Sequence, residues 1–161
     1  MGRKTNPNIL RIGNILHNWD AKWFSDDPKI FSTNLLQDIK IRNYLKKNMR
    51  SASISRLEIV RQARETVLTI HTSRPAVVIG RGGSGIEKIQ KDFQKMFGKG
   101  LRYRINVQEI RNPDTDAAAV ATQVVDQIER RMPYRRVLKQ AVSRSMQAGA
   151  RGIRIAVAGR L

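Results

Sequence analysis

Gly80-Arg81-Gly82-Gly83-Ser84-Gly85 is the stretch on which the reading of the fold turns, because it parses in two ways. As Gly80-x-Gly82-x-x-Gly85 it satisfies a dinucleotide-binding fingerprint, with Glu109 near the acidic position such sites require. As Gly80-Arg81-Gly82-Gly83 it is a GxxG loop between two helices, a device that lets the backbone come close to a nucleic-acid strand. The flanking chain separates the two. A dinucleotide site needs its glycines directly after a strand and needs further parallel strands beyond them. Here Arg74-Pro75 breaks the strand before the loop, and proline would remove a ladder donor from a central strand. In the GxxG reading, amides at the start of the following helix donate to phosphate and Arg81 adds a charged, forked donor. GxxG alone is a weak signal. A tight inter-helix turn that needs glycine only for its φ values fits the same placement.

Outward from the loop, Ile54 to Val60 alternates apolar and polar residues, and Thr66 to Thr72 is rich in β-branched ones. The polar turn Gln62-Ala63-Arg64-Glu65 joins them into a hairpin. Ile86 to Phe97 reads as a helix with Ile86, Ile89, Phe93 and Phe97 on one face and Gly98 at its end. A third strand runs from about Arg102 to Ile110. Upstream, Asp26-Asp27-Pro28 opens a helix in which Phe31, Leu35 and Ile39 repeat at four-residue spacing, with Leu36 and Leu45 widening the stripe. Asp38 and Arg42 form an i,i+4 pair. Residues 1–24 read as an irregular arm, its aromatics Trp19, Trp23 and Phe24 anchoring it to the domain. After Asn112-Pro113, Asp114 caps a helix striped by Ala117, Val120, Ala121, Val124, Val125 and Ile128. Pro133 starts another, striped by Val137, Leu138, Ala141, Val142 and Ser145. Gly152 to Ala158 alternates like a strand with no obvious partner in the chain. The fold class expected is α+β: a domain with the KH signature at 25–111 (helix, β-hairpin, helix pair around GxxG, strand), then two helices plus one strand at 112–161.

Charge narrows the function. Thirty-one Lys and Arg against thirteen Asp and Glu give +18 over 161 residues, a body that settles best against a polyanion. Nucleic acid leads, since each neutralised phosphate releases a counterion. An anionic membrane is the plainer rival, but no basic amphipathic anchor stands out. Cysteine is absent, which removes disulfides, thiolate nucleophiles and cysteine-ligated zinc. No signal core follows Met1-Gly2-Arg3, and no apolar run approaches spanning length, so a soluble protein in a cytosol-like compartment is expected. His17 and His71 are the only histidines, and Asp26, Asp27, Asp114 and Asp116 sit where helix capping explains them. With no P-loop, GxSxG or HExxH, no enzyme, metal, cofactor or small-molecule substrate is expected.

From Arg130 to the end there are nine Arg or Lys residues and no acid. On the helix after Pro133, Arg135, Arg136 and Lys139 fall within an arc of about 100°, roughly opposite the apolar stripe. Solvated faces usually mix charges, and this one does not. The candidate RNA-binding residues are Arg3, Lys4, Gly80, Arg81, Gly82, Gly83, Arg130, Arg131, Arg135, Arg136, Lys139, Arg144, Arg151 and Arg154.

With these elements placed, the sequence resembles the bacterial and organellar family of small-subunit ribosomal protein S-three. The carrying segments are Met1-Gly-Arg-Lys-Thr-Asn-Pro7, the Trp19 to Phe24 stretch and Arg74-Pro-Ala-Val-Val-Ile-Gly-Arg-Gly-Gly-Ser-Gly-Ile-Glu-Lys-Ile89. They continue with Glu109-Ile-Arg-Asn-Pro-Asp114, Gln127-Ile-Glu-Arg-Arg131, Tyr134-Arg-Arg-Val-Leu-Lys-Gln-Ala-Val142 and Gly149-Ala-Arg-Gly-Ile-Arg154. The resemblance implies that 25–111 is a type II KH domain and 112–161 a partial C-terminal α/β domain, in a structural constituent of the small subunit that binds small-subunit rRNA in the head. It also implies a place beside the mRNA entry channel, where the matching cations help to unwind and position incoming mRNA. Implied neighbours are S-ten and S-fourteen, in a cytoplasmic ribosome or alternatively a mitochondrial or plastid one. Family members normally continue past Gly159-Arg160-Leu161 with more strands, so the last two helices are expected to pack on only a fragment of their sheet. A free-standing KH-type RNA-binding regulator is the alternative, and a dinucleotide-binding enzyme the remote one.

Overall fold

A computed structural model of the chain describes residues 5, 7–12, 19–62, 65–98, 100 and 102–160. Asp27 opens the first long helix, α2 (Pro28–Asn48), its carboxylate accepting the Lys29 amide at 2.8 Å, and Pro28 costs nothing at the first helical position. A four-stranded sheet follows in the order β1-β2-β3-β4: β1 (Ala21–Lys22), β2 (Ile54–Arg61), β3 (Glu65–Thr72) and β4 (Arg102–Glu109). β2 and β3 form the expected antiparallel hairpin, with Leu57 opposite Ile70. β4 runs parallel to β3, with Leu68 opposite Ile105. A parallel neighbour needs a crossover, and α3 (Pro75–Ile79) and α4 (Ser84–Phe97) supply it across one face. Period-two burial sends Leu57, Ile59, Leu68, Ile70, Tyr103 and Ile105 onto that face, against Ile41, Leu45, Val78, Ile89 and Phe93. Each such aliphatic or aromatic side chain contributes about 1.5–3 kcal/mol on burial. Phe93 lies at the centre, with ring centroids 5.3 Å from Tyr44 and 5.4 Å from Tyr103. Burial and a hydrogen bond donated to Asp92 push the Tyr44 hydroxyl up to about 12, and burial raises Tyr103 as well.

The arm departs from its irregular reading. Pro7–Arg11 forms a short helix, α1, and Ala21–Lys22 adds a parallel edge strand to β2 because the Ile59 amide reaches the Asp20 carbonyl at 2.7 Å. Of the three arm aromatics only Trp23 docks, while Trp19 and Phe24 are exposed. Its indole donates to Asp38 at 2.8 Å, and its ring lies 5.1 Å from that of Phe31. Asp38 does not pair with Arg42. It turns inward to Arg61 at 2.5 Å, with side chains 6% and 8% exposed, and Arg61 also donates to Gln37 and to the Asn34 carbonyl. Arg42 donates instead to the Leu57 carbonyl. The Phe31, Leu35, Ile39 stripe is likewise not the core face of α2, since Ile41 and Leu45 fill the core and the stripe is exposed.

A second cluster forms between α5 (Ala117–Glu129), α6 (Tyr134–Gln147) and the chain after them, around Val120, Val124 and Val137. Asp116, not Asp114, caps α5, accepting from the Ala119 amide at 2.8 Å. The same carboxylate accepts from Ser55 of β2, and Arg50 pairs with Glu129 at 2.6 Å, so the two clusters are tied. Residues 152–158 keep the alternation read from sequence, with Ile153, Ile155 and Val157 half-buried and Arg154 exposed. No ladder partner exists for them among the described residues, so the expected terminal strand is extended backbone without a sheet. The outer row of the α5 stripe, Ala117, Ala121 and Val125, consequently lines an open trough of about 620 Å³ facing that segment.

Candidate nucleic-acid interface

The glycine loop follows a helix, α3, which rejects the dinucleotide reading because that site needs a strand before its glycines. Its glycines do two jobs. A Cβ on Gly85 would lie 2.4 Å from the Val78 carbonyl oxygen, and one on Gly80 would lie 2.7 Å from the Gly85 nitrogen. Those two let α3 and α4 meet. Gly82 and Gly83 hold φ values of 60° and 86°, and a Cβ on either would touch nothing within 4 Å. Their backbone therefore faces open space in the left-handed region that glycine enters freely. No side chain caps the start of α4; the Ser84 amide is taken by the Arg81 carbonyl, and the amides that follow it at the helix start are the ones that can meet an outside acceptor. Arg81 is exposed beside them and enters no ion pair with a described residue. The assembly fits a phosphodiester: backbone donors, a helix N-terminus and a forked cation around an unfilled space.

A second basic surface is built by α6. Buried Val137 and Ser145 pin the helix, and Arg135, Arg136 and Lys139 are exposed on other sides. The Arg135 Nε donates to the Tyr134 hydroxyl at 3.2 Å and its guanidinium stands 5.8 Å from that ring, which fixes its direction. Arg130 and Arg131 form the α5–α6 turn, continuous with this face in sequence. Arg131 holds φ 60°, a conformation that costs an arginine about 1 kcal/mol or more relative to glycine. None of Arg130, Arg131, Arg135, Arg136, Lys139, Arg144, Arg151 and Arg154 forms an ion pair with a described acid, and all are exposed. Arg144 lies about half a turn round the helix from Arg135, so it belongs to a different face. Arg3 and Lys4 lie outside the described residues. Sequence reading missed Lys88, Lys91 and Lys95 on α4, exposed on the helix that the glycine loop opens. Their spacing opposite Ile86, Ile89 and Phe93 carried the signal. Among the described residues no cluster of His, Asp and Glu is placed to hold a metal ion.

The family model described as KH domain matches residues 40–115, and the one described as ribosomal protein S3, C-terminal domain, matches residues 124–161. Among curated relatives, small ribosomal subunit protein uS3 of Ligilactobacillus salivarius is 46% identical over 161 residues, covering 100% of this chain and 72% of its own length. The proteins of the same name from Desulforudis audaxviator and Carboxydothermus hydrogenoformans are each 48% identical over the whole chain, with 72% and 71% of their lengths covered. A GxxG loop set in a helix–hairpin–helix pair–strand domain, an acid-free basic helix behind it, and identity of this extent place the chain in the small ribosomal subunit protein uS3 family.

Proposed function

We propose that this chain is a non-catalytic, RNA-binding structural constituent of the small ribosomal subunit, holding rRNA in the head and lining the path by which mRNA enters. Family membership supports the ribosomal assignment. The observation that carries the mRNA part is the α6 surface, where Arg135, Arg136 and Lys139 stand exposed with no described acid beside them. Cations fixed on a pinned helix hold strand backbones apart while translocation supplies the force, so no nucleotide hydrolysis is required of this protein. The division of labour is one of segments: arm 1–24, KH domain 25–111 on rRNA, and partial α/β domain 112–161 on mRNA. Neighbouring head proteins S-ten and S-fourteen complete the surroundings, in the ribosome of the cytoplasm or of an organelle. A free-standing KH regulator differs in sedimentation, since it does not travel with the small subunit.

The test replaces Arg135, Arg136 and Lys139 by alanine together. The triple variant is expected to co-sediment with the small subunit while translating messages that carry stable hairpins more slowly than unstructured ones. Equal rates on both messages reject the mRNA assignment, and failure of the unaltered chain to sediment with small subunits rejects the ribosomal one.

A further inference from the structure

Helix α2 carries its most regular apolar row on a face turned well aside from its own core. Phe31, Leu35 and Ile39 are 46%, 44% and 45% exposed, and Leu36 beside them 57%. On a helical wheel Leu35 sits about 100° from the midpoint of Ile41 and Leu45, which fill the core. Contiguous exposed side chains of this size mark a surface that another molecule covers. Beyond the stripe, Lys29, Lys40 and Lys47 line up within about 20° of one another along one flank, and all are exposed. The one acid of the helix, Asp38, is withdrawn into the pair with Arg61, and the Asp27 carboxylate is engaged by the Lys29 amide. One end of the row is also braced: Trp23, itself hydrogen-bonded to Asp38, sets its ring 5.1 Å from that of Phe31 at a tilt of 49°. A pre-set face of this kind loses little entropy on binding.

We infer that this face of α2 docks a protein helix whose own apolar row is flanked by Asp and Glu. Apolar row would meet apolar row, and the lysine flank would meet the acids, the helix-on-groove pattern of i, i+4 and i+8 anchors. RNA does not fit, because bases stack on aromatic planes and would leave the aliphatic Leu35, Leu36 and Ile39 without a match. A second copy packed antiparallel does not fit either, since it would set one lysine row against another, and a parallel copy would leave both lysine rows without a match. The inference stands apart from the RNA-binding reading and uses none of its residues.

The test titrates the isotope-labelled full chain with a synthetic helical peptide carrying a leucine row flanked by glutamates. Controls are its scrambled form, its lysine-flanked form and vesicles of phosphatidylglycerol. The glutamate peptide is expected to shift resonances of residues 29–40 while leaving those of 80–85 and 134–139 in place. Leu35→Ser with Ile39→Ser, which leaves Trp23 and Phe31 untouched, is expected to weaken binding about tenfold or more. Lys29→Glu with Lys40→Glu keeps the apolar row and is expected to exchange the preference toward the lysine-flanked peptide. The inference is overturned if the glutamate peptide binds no better than its scrambled form, if Leu35→Ser with Ile39→Ser binds it equally well, if the vesicles shift these resonances instead, or if the chain alone dimerises through them.

Discussion

Within residues 80–85 the neighbours of each glycine set what its replacement costs. Gly85 has the Val78 carbonyl where a methyl would go, so Gly85→Ala forces α3 and α4 apart. A loss of about 1–3 kcal/mol in folding stability is expected, read by thermal or denaturant unfolding. Gly82 has nothing there. Gly82→Asp is expected to cost about 1 kcal/mol in stability through its φ of 60°. RNA affinity should fall much further, because a carboxylate then occupies the space where a phosphate would lie. Equal losses of affinity and fold in both variants would show that the loop is only a turn. Arg131 sets the opposite test, since glycine relieves its backbone. Arg131→Gly is expected to raise stability by about 1 kcal/mol while weakening RNA binding, a trade seen where strain is kept for function. A variant that is both more stable and binds RNA as well as the parent would remove Arg131 from the interface.

Single elements carry roles that their periodicity states only in part. For α4 the stripe Ile86, Ile89, Phe93, Phe97 is the core stripe, and the sequence reading of that helix matches its packing. For α2 the stripe is real but faces outward, because the inward side is taken by Ile41, Leu45 and a polar hub that no period reveals. Asp38 looks like half of an i,i+4 surface pair until Arg61, twenty-three residues later, is brought over it by the sheet. Long-range partners of this kind are not written in local spacing. The same holds for β1, two residues whose strand character comes wholly from the edge of β2. The glycine loop, by contrast, was legible because steric demands on backbone are local. The cations of α6 were legible because charge needs no partner to be seen. The hub itself is testable. Arg61→Ala strands a buried carboxylate and is expected to cost about 3–5 kcal/mol and to release Trp23, seen as a red-shifted fluorescence. Arg61→Met with Asp38→Leu is expected to recover most of that stability. If Arg61→Ala melts within a degree or two of the parent, the hub does not hold the arm.

As a whole molecule the chain sets an excess of eighteen positive charges on two modest cores, and that excess is not spread evenly in function. α2 holds its one acid, Asp38, inward and shows aliphatic surface, whereas the glycine loop and α6 show cations and open backbone. The central claim is that those cations neutralise phosphates. The most direct measurement is the slope of log affinity for an mRNA fragment that carries a stable hairpin against log salt, for the parent and for the variant with Arg135, Arg136 and Lys139 replaced by alanine. Each cation that meets a phosphate contributes about 0.7–0.9 to the slope, so the variant is expected to be shallower by about two to three. Identical slopes for the two proteins would contradict the account.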